Sequence, residues 1–129
     1  GNLYIEIEVG EHDWFERDGS DLLMALPVSY VDLVLGAKIE IPHIDDSNLI
    51  VNISPGSKPG ETITIPNRGL PYPRGGRGRG AVMVLLKLAM PNKLNRSTKK
   101  QLNGLKEELS SGKSITDEIR KEAKDRRRS

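Results

Sequence analysis

The amino-acid sequence predicts a mainly β domain that is followed by a helical tail. Up to position 65, short apolar segments alternate with polar residues, and glycine and proline cluster between these segments. After Pro91 the spacing of the apolar residues changes from two to three or four, which is typical of helices. We therefore expect about six short strands and then two helices, with no internal repeat.

The first two strands are predicted from alternation. Residues 3–9 alternate between apolar and polar side chains, as a half-buried strand does. Residues 12–20 form a polar connection that ends in the turn-forming pair Asp18-Gly19, and a second strand follows near residues 22–28.

A short helix and a hairpin are predicted next. Ser29 is a suitable N-cap for a helix that Gly36 would end. Residues 37–41 alternate again, and the turn-forming residues 45–48 lead into a strand over residues 49–53.

The β region is predicted to end with a loop and an apolar strand. Residues 62–65 are expected to form a short strand. Residues 66–80 contain five glycines, three prolines and four arginines, which indicates a loop. Residues 81–90 are apolar except for Lys87, and their β-branched content favours a strand that is buried on both faces.

Two helices are predicted in the tail. Asn95 is a suitable N-cap for the first helix, which Gly112 would end, and Ser114 is a suitable N-cap for the second. The first helix has leucines at 102, 105 and 109. The second has one apolar stripe formed by Ile115, Ile119 and Ala123.

Composition excludes several classes of protein. The absence of cysteine excludes disulfides, a zinc ribbon and a thiol nucleophile, and no apolar run approaches the roughly 18 to 20 residues that span a membrane. Gly1 in place of a start methionine indicates a piece of a longer protein, and a cytoplasmic location is expected.

The net charge of +2 combines an acidic first half with a basic second half. This asymmetry favours complementary surfaces within the fold or across a dimer, and a nucleic-acid face is the alternative.

No arrangement of residues predicts an enzyme. His12 and His43 lie in different segments, and the carboxylate pairs at 45–46 and 107–108 have no third ligand at a metal-site interval. All four features are expected on solvated turns or helix faces. The glycines of residues 75–80 lack the Lys-Ser/Thr of a phosphate loop. We therefore expect no catalytic residue, no metal and no cofactor.

Eight motifs resemble those of a known family. Residues 12–19 resemble the His-x-x-Phe-x-Arg-Asp-Gly segment that opens the second C-terminal β-domain of DnaJ-type co-chaperones. The other seven follow in the family's order: Asp21-Leu22, Pro27-Val28-Ser29, Leu35-Gly36, Ile41-Pro42, Pro55-Gly56 with Gly60, Gly69-Leu70-Pro71 and Gly78-Arg79-Gly80. The resemblance covers about residues 1–109. Ala81, where the family usually has Asp, and Pro66 depart from its pattern.

The resemblance implies both an architecture and a function. It implies a last strand of a preceding β-domain with a linker over residues 1–11, a small β-sandwich-like domain over 12–91 and a helical dimerisation tail over 92–129. The implied function is that of a homodimeric heat-shock co-chaperone that binds unfolded client proteins and delivers them to a DnaK-type ATPase chaperone. The family's J-domain triplet His-Pro-Asp and its Cys-x-x-Cys zinc repeats are absent from this chain, so this piece alone should not stimulate that ATPase.

A client-binding surface is predicted on the second strand. Its core face is formed by Leu22, Met24, Leu26 and Val28. Leu23 and Ala25 lie on the opposite face, where a solvated strand would show charge, and Ile44 is expected nearby. These three residues are the candidate client groove, unless a loop or a neighbouring domain covers them.

The tail and the arginine-rich loop supply the remaining candidates. The leucine stripe is expected to form a two-fold dimer contact or to pack on the chain's own sheet; its residues are Leu94, Leu102, Leu105 and Leu109. An RNA-binding loop is the alternative function, although nucleic acid is not the expected partner. Its residues would be Arg68, Tyr72, Arg74, Arg77 and Arg79. A purely structural spacer is a further alternative.

Overall fold

The computed structural model describes residues 14–110 and 115–128. The chain divides between Met90 and Pro91 into two compact units. The described elements are β1 (Glu16–Asp18), β2 (Asp21–Ser29), α1 (Tyr30–Leu35), β3 (Ala37–Pro42), β4 (Asn48–Ile53), β5 (Thr62–Ile65), β6 (Val82–Ala89), α2 (Arg96–Leu109) and α3 (Ile115–Arg128). The strand predicted over residues 3–9 lies outside the described residues. None of the described helices is long and apolar enough to cross a membrane.

The strands of the first unit form two sheets. Four strands pair in the order β1-β2-β6-β5, and β3 and β4 form a separate hairpin. The central strands β2 and β6 are parallel, whereas β1 and β5 are antiparallel to their neighbours. The prediction of a mainly β, sandwich-like fold with a helical tail is confirmed.

One apolar cluster joins the two sheets. Its buried side chains are Leu22, Met24, Leu26, Val28, Leu33, Leu49, Val51, Ile53, Val82, Val84 and Leu86. The predicted core face of β2 is therefore confirmed. The prediction that the last strand is buried on both faces is wrong: in β6, Leu85 and Lys87 are exposed and Met83 is half-buried. Only the face of β6 that carries Val82, Val84 and Leu86 contributes to the cluster.

The short helix α1 begins and ends where the sequence predicts. The Ser29 hydroxyl accepts a hydrogen bond from the Asp32 amide at 3.1 Å, and the Gly36 amide donates to the Asp32 carbonyl at 2.9 Å. Gly36 has a φ of 83°, and a Cβ there would lie 2.9 Å from the Ile53 carbonyl oxygen. Glycine is therefore required at this helix end for both conformation and space.

The glycine-rich loop is closed at its base by a close crossing of two chain segments. The Gly80 carbonyl accepts from the Gly69 amide at 2.8 Å, and the Ser20 carbonyl accepts from the Leu70 amide at 2.7 Å. The Ala81 amide donates to the Asp21 carboxylate at 2.8 Å. A Cβ on Gly80 would lie 2.2 Å from the Ser20 carbonyl oxygen, so the crossing leaves no space for a side chain.

Two predicted boundaries differ from the structure. The polar connection predicted over residues 12–20 contains β1, which pairs with β2 around a turn in which Gly19 has a φ of 62°. In the tail, the Asn95 cap is confirmed, since its side chain accepts from the Thr98 amide at 2.8 Å. Helix α2 ends at Leu109 because Ser110 adopts an extended backbone. The helix therefore ends before the predicted Gly112, which itself lies outside the described residues, as does the predicted cap at Ser114.

Candidate functional site

The outer face of the four-stranded sheet bears an apolar patch. Strict alternation along β2 places Leu23 and Ala25 on this face. The register of the parallel pair sets Leu23 beside Met83 and Ala25 beside Leu85. Paired residues of adjacent strands have side chains on the same face, so these four residues form one apolar surface.

This apolar surface is the floor of an open groove of about 610 Å³, which we call the outer-face groove. It is also lined by Trp14, Phe15 and Glu16 at the start of β1, and by Thr62 of β5. Among the described residues, β1 pairs with β2 only as far as Leu23. Beyond that residue, no described strand pairs with the outer edge of β2. An extended segment that paired with this edge would lie along the groove.

The structure brings together two of the three predicted client residues. Leu23 is half-buried and Ala25 is exposed, and both line the groove. Ile44 is half-buried, packs against the apolar cluster and does not line the groove. Sequence reasoning missed Met83 and Leu85, which alternation would have identified had β6 been interpreted as half-buried.

A buried histidine supports the groove from behind. His43 is 5 % exposed, and its ring meets the Phe15 ring edge-on, with the ring centroids 5.6 Å apart. Its Nε2–H donates to the Arg68 carbonyl at 2.7 Å, and its Nδ1 is buried with no hydrogen-bond partner in the described structure. Burial lowers the pKa of His43, so the ring is neutral near pH 7.

The expectation of a solvated His43 is therefore wrong. The turn after β3 packs against Phe15 and against the backbone at Arg68, and these contacts enclose the ring. The neighbouring Asp45 stays on the surface, as predicted. Hydrogen bonds from the Ser47 hydroxyl and amide lower the pKa of its carboxyl.

The arginines of the glycine-rich loop do not form one free basic surface. The Arg68 guanidinium donates to the Ser47 hydroxyl at 2.6 Å, and the Arg79 Nε donates to the Gly69 carbonyl at 2.8 Å. These two arginines hold the loop in place. Only Arg74 and Arg77, with Tyr72, remain exposed candidates for the alternative RNA-binding function.

The tail exposes the predicted leucine stripe. Leu102, Leu105 and Leu109 are 42 %, 46 % and 43 % exposed on α2, and Leu94 is half-buried ahead of the helix.

In α3, an ion pair at 2.6 Å joins Arg126 to Glu122. Within residues 14–110 and 115–128, no group of three or more acidic or histidine side chains is arranged to hold a metal ion.

Comparison with known proteins places these features in one family. A family model described as the DnaJ C terminal domain matches residues 1–91. The Chaperone protein DnaJ of Caldicellulosiruptor saccharolyticus is 40 % identical over 111 residues, which are 86 % of this chain and 28 % of that protein. That of Erysipelothrix rhusiopathiae is 36 % identical over 121 residues, which are 94 % of this chain and 32 % of that protein. The chain thus spans about a third or less of the length of these relatives.

Proposed function

The chain belongs to the DnaJ C-terminal domain family, and we propose that it is a non-catalytic co-chaperone module that binds unfolded, apolar client polypeptide in the outer-face groove. The single observation that supports this function most directly is the apolar floor of the groove, formed by Leu23, Ala25, Met83 and Leu85 on a sheet face that the core does not use. In the full-length protein, the bound client would be delivered to a DnaK-type ATPase chaperone in the cytoplasm.

The shape of the groove fits an extended apolar segment. Leu85 is 36 % exposed, and methionine at position 83 adds a flexible side chain that adapts to different apolar partners. Each client leucine that enters gains about 1.5–3 kcal/mol from burial, and ordering of the client opposes this gain. A single groove should therefore bind with micromolar affinity or more weakly, about 8 kcal/mol or less, which suits transient capture of many clients.

The groove is tested by amide NMR of the labelled chain, titrated with a permanently unfolded apolar polypeptide. Shifts are expected at residues 14–16, 22–26 and 83–85. Leu85→Ser should weaken binding about tenfold, since the client no longer buries the exposed apolar part of Leu85. The matched control is Ile50→Ser, because Ile50 is 43 % exposed on β4 and does not line the groove. Equal weakening by both variants, or shifts elsewhere alone, would exclude the groove as the client site.

We further propose that α2 forms a two-fold dimer contact. Three leucines that are each more than 40 % exposed on one helical stripe need a partner surface. A symmetric helix pair would cover the stripe of both chains with the same residues. Two grooves in one dimer would then bind a single client at two sites, which raises avidity without any new contact.

A further inference from the structure

We propose that the outer-face groove binds client in one orientation, with a basic client residue at the β1 end and an acidic client residue at the end marked by Lys87. This inference rests on the proposed function, and it identifies the client segments that the groove prefers. The preferred segment has a short apolar centre with charges of opposite sign at its two ends.

The register of the sheet places three rows of side chains on the outer face. The first row contains Glu16 and Leu23, which are paired across β1 and β2, together with Met83 on β6. The second contains Ala25 and Leu85, which Thr62 extends on β5. The third contains Pro27 and Lys87. The apolar floor therefore has a carboxylate at one end and an ammonium group at the other.

Both charges are available for a ligand. Glu16 and Lys87 are exposed, and neither forms an ion pair or side-chain hydrogen bond with any residue of the described ranges. Glu16 is the one charged residue that lines the groove among the described residues. Beyond it, Asp18 of β1 lies opposite Asp21 of β2 in the strand register. Asp18 extends the acidic end, whereas the Asp21 carboxylate accepts a hydrogen bond from the Ala81 amide.

The spacing of the two charges fits an extended peptide. Four residues of β2 separate the row of Leu23 from the row of Pro27, which is about 13 Å along the strands, and two strand spacings separate β1 from β6, which is about 10 Å across them. The diagonal from Glu16 to Lys87 is about 16 Å; four residues of an extended client span about 13 Å of it, and the long side chains at the two ends cover the rest. A basic residue and an acidic residue four positions apart can therefore meet Glu16 and Lys87, with an apolar side chain between them on the floor.

Orientation also follows from the cost of the reversed arrangement. A client that enters the other way places its base beside Lys87 and its acid beside Glu16, so that both attractions become repulsions. Each exposed pair changes affinity about two- to fivefold at low salt, and salt screens the effect. The two ends together should favour the matched orientation about tenfold or more at low salt.

Paramagnetic NMR tests this orientation on the full chain. The probe is a peptide with an apolar centre, lysine at one end, glutamate at the other and a nitroxide beside the lysine; a second peptide has the nitroxide beside the glutamate. We expect the first label to broaden the amides of residues 14–17 and the second to broaden those of residues 86–88. In the double variant Glu16→Lys, Lys87→Glu the two patterns should be exchanged. Lys38→Glu is the matched control because Lys38 is an exposed base on β3, which belongs to the other sheet.

The outcomes separate this inference from the function on which it rests. Exchange of the patterns in the double variant, and not in the control, supports the inference. Binding with the same pattern for both labels, or a pattern that the double variant leaves unchanged, overturns the orientation and leaves client binding intact. Failure of both peptides to bind overturns the proposed function and the inference with it.

Discussion

Gly80→Ala should unfold the base of the glycine-rich loop for steric reasons alone. Gly80 does not have a positive φ, so alanine meets no conformational strain there. Its Cβ would lie 2.2 Å from the Ser20 carbonyl oxygen and 2.6 Å from the Asp21 carboxylate. Ordinary contact begins near 3.4 Å, so the two segments must separate by about 1 Å.

A separation of that size breaks the hydrogen bonds of the crossing. Two of them are the 2.7 Å bond from the Leu70 amide to the Ser20 carbonyl and the 2.8 Å bond from the Ala81 amide to the Asp21 carboxylate. The 2.8 Å bond from the Gly69 amide to the Gly80 carbonyl would also be lost. Each contributes about 1 kcal/mol net, and more where a buried group stays unpaired. We expect the free energy of unfolding to fall by about 3 kcal/mol or more, which is a large part of the 5–15 kcal/mol of a typical domain.

Urea denaturation, followed by the fluorescence of the single tryptophan, measures this loss. Trp14 packs against the apolar cluster, so its emission reports on the β unit. The matched control is Gly75→Ala in the same loop. No atom lies within 4 Å of a Cβ built there, but Gly75 has a φ of 74°, so alanine should cost only about 1–2 kcal/mol of left-handed strain. If Gly80→Ala were no more destabilising than Gly75→Ala, the crossing would not depend on close backbone approach.

Two further outcomes are expected. Because burial lowers the pKa of His43 in the folded state, the unfolded chain binds the extra proton, and stability should be lost as the pH falls below about 6.5. His43→Gln should reduce this dependence in urea denaturation between pH 7.5 and 5, and an unchanged slope would contradict the assignment. For the tail, the double variant Leu102→Ser, Leu105→Ser should convert a dimer into a monomer in sedimentation equilibrium. Gln101→Ser, which makes one such change beside the stripe, should leave the dimer intact, and a double variant that stays dimeric would refute the α2 contact.

Local signals predicted most of the secondary structure. The Ser29 cap, the glycine at position 36 and the turn residues 45–48 each act within a few positions of the chain, so their patterns were sufficient. The alternation of β2 also identified the core face and the exposed Leu23 and Ala25. These features depend on side-chain chemistry and strand period alone.

Features that depend on distant residues were not predictable in the same way. The parallel pairing of β2 with β6 joins segments about 60 positions apart, and no local period specifies that partner. The burial of His43 likewise depends on Phe15 and on the backbone at Arg68. The groove combines both kinds of information, since its residues come from β1, β2, β5 and β6.

The incorrect prediction for β6 points to the function of its outer face. Continuous apolar character favours burial on both faces, but in β6 only Val82, Val84 and Leu86 are buried in the core. Stability of the fold would permit polar residues at 83 and 85, as it does on β5, where Thr62 and Thr64 face outward. An apolar residue at an exposed sheet position lowers the solubility of the protein without adding to its buried apolar core. Since local rules are broken most often at functional sites, the apolar outer face of β6 supports the proposal that a polypeptide binds there.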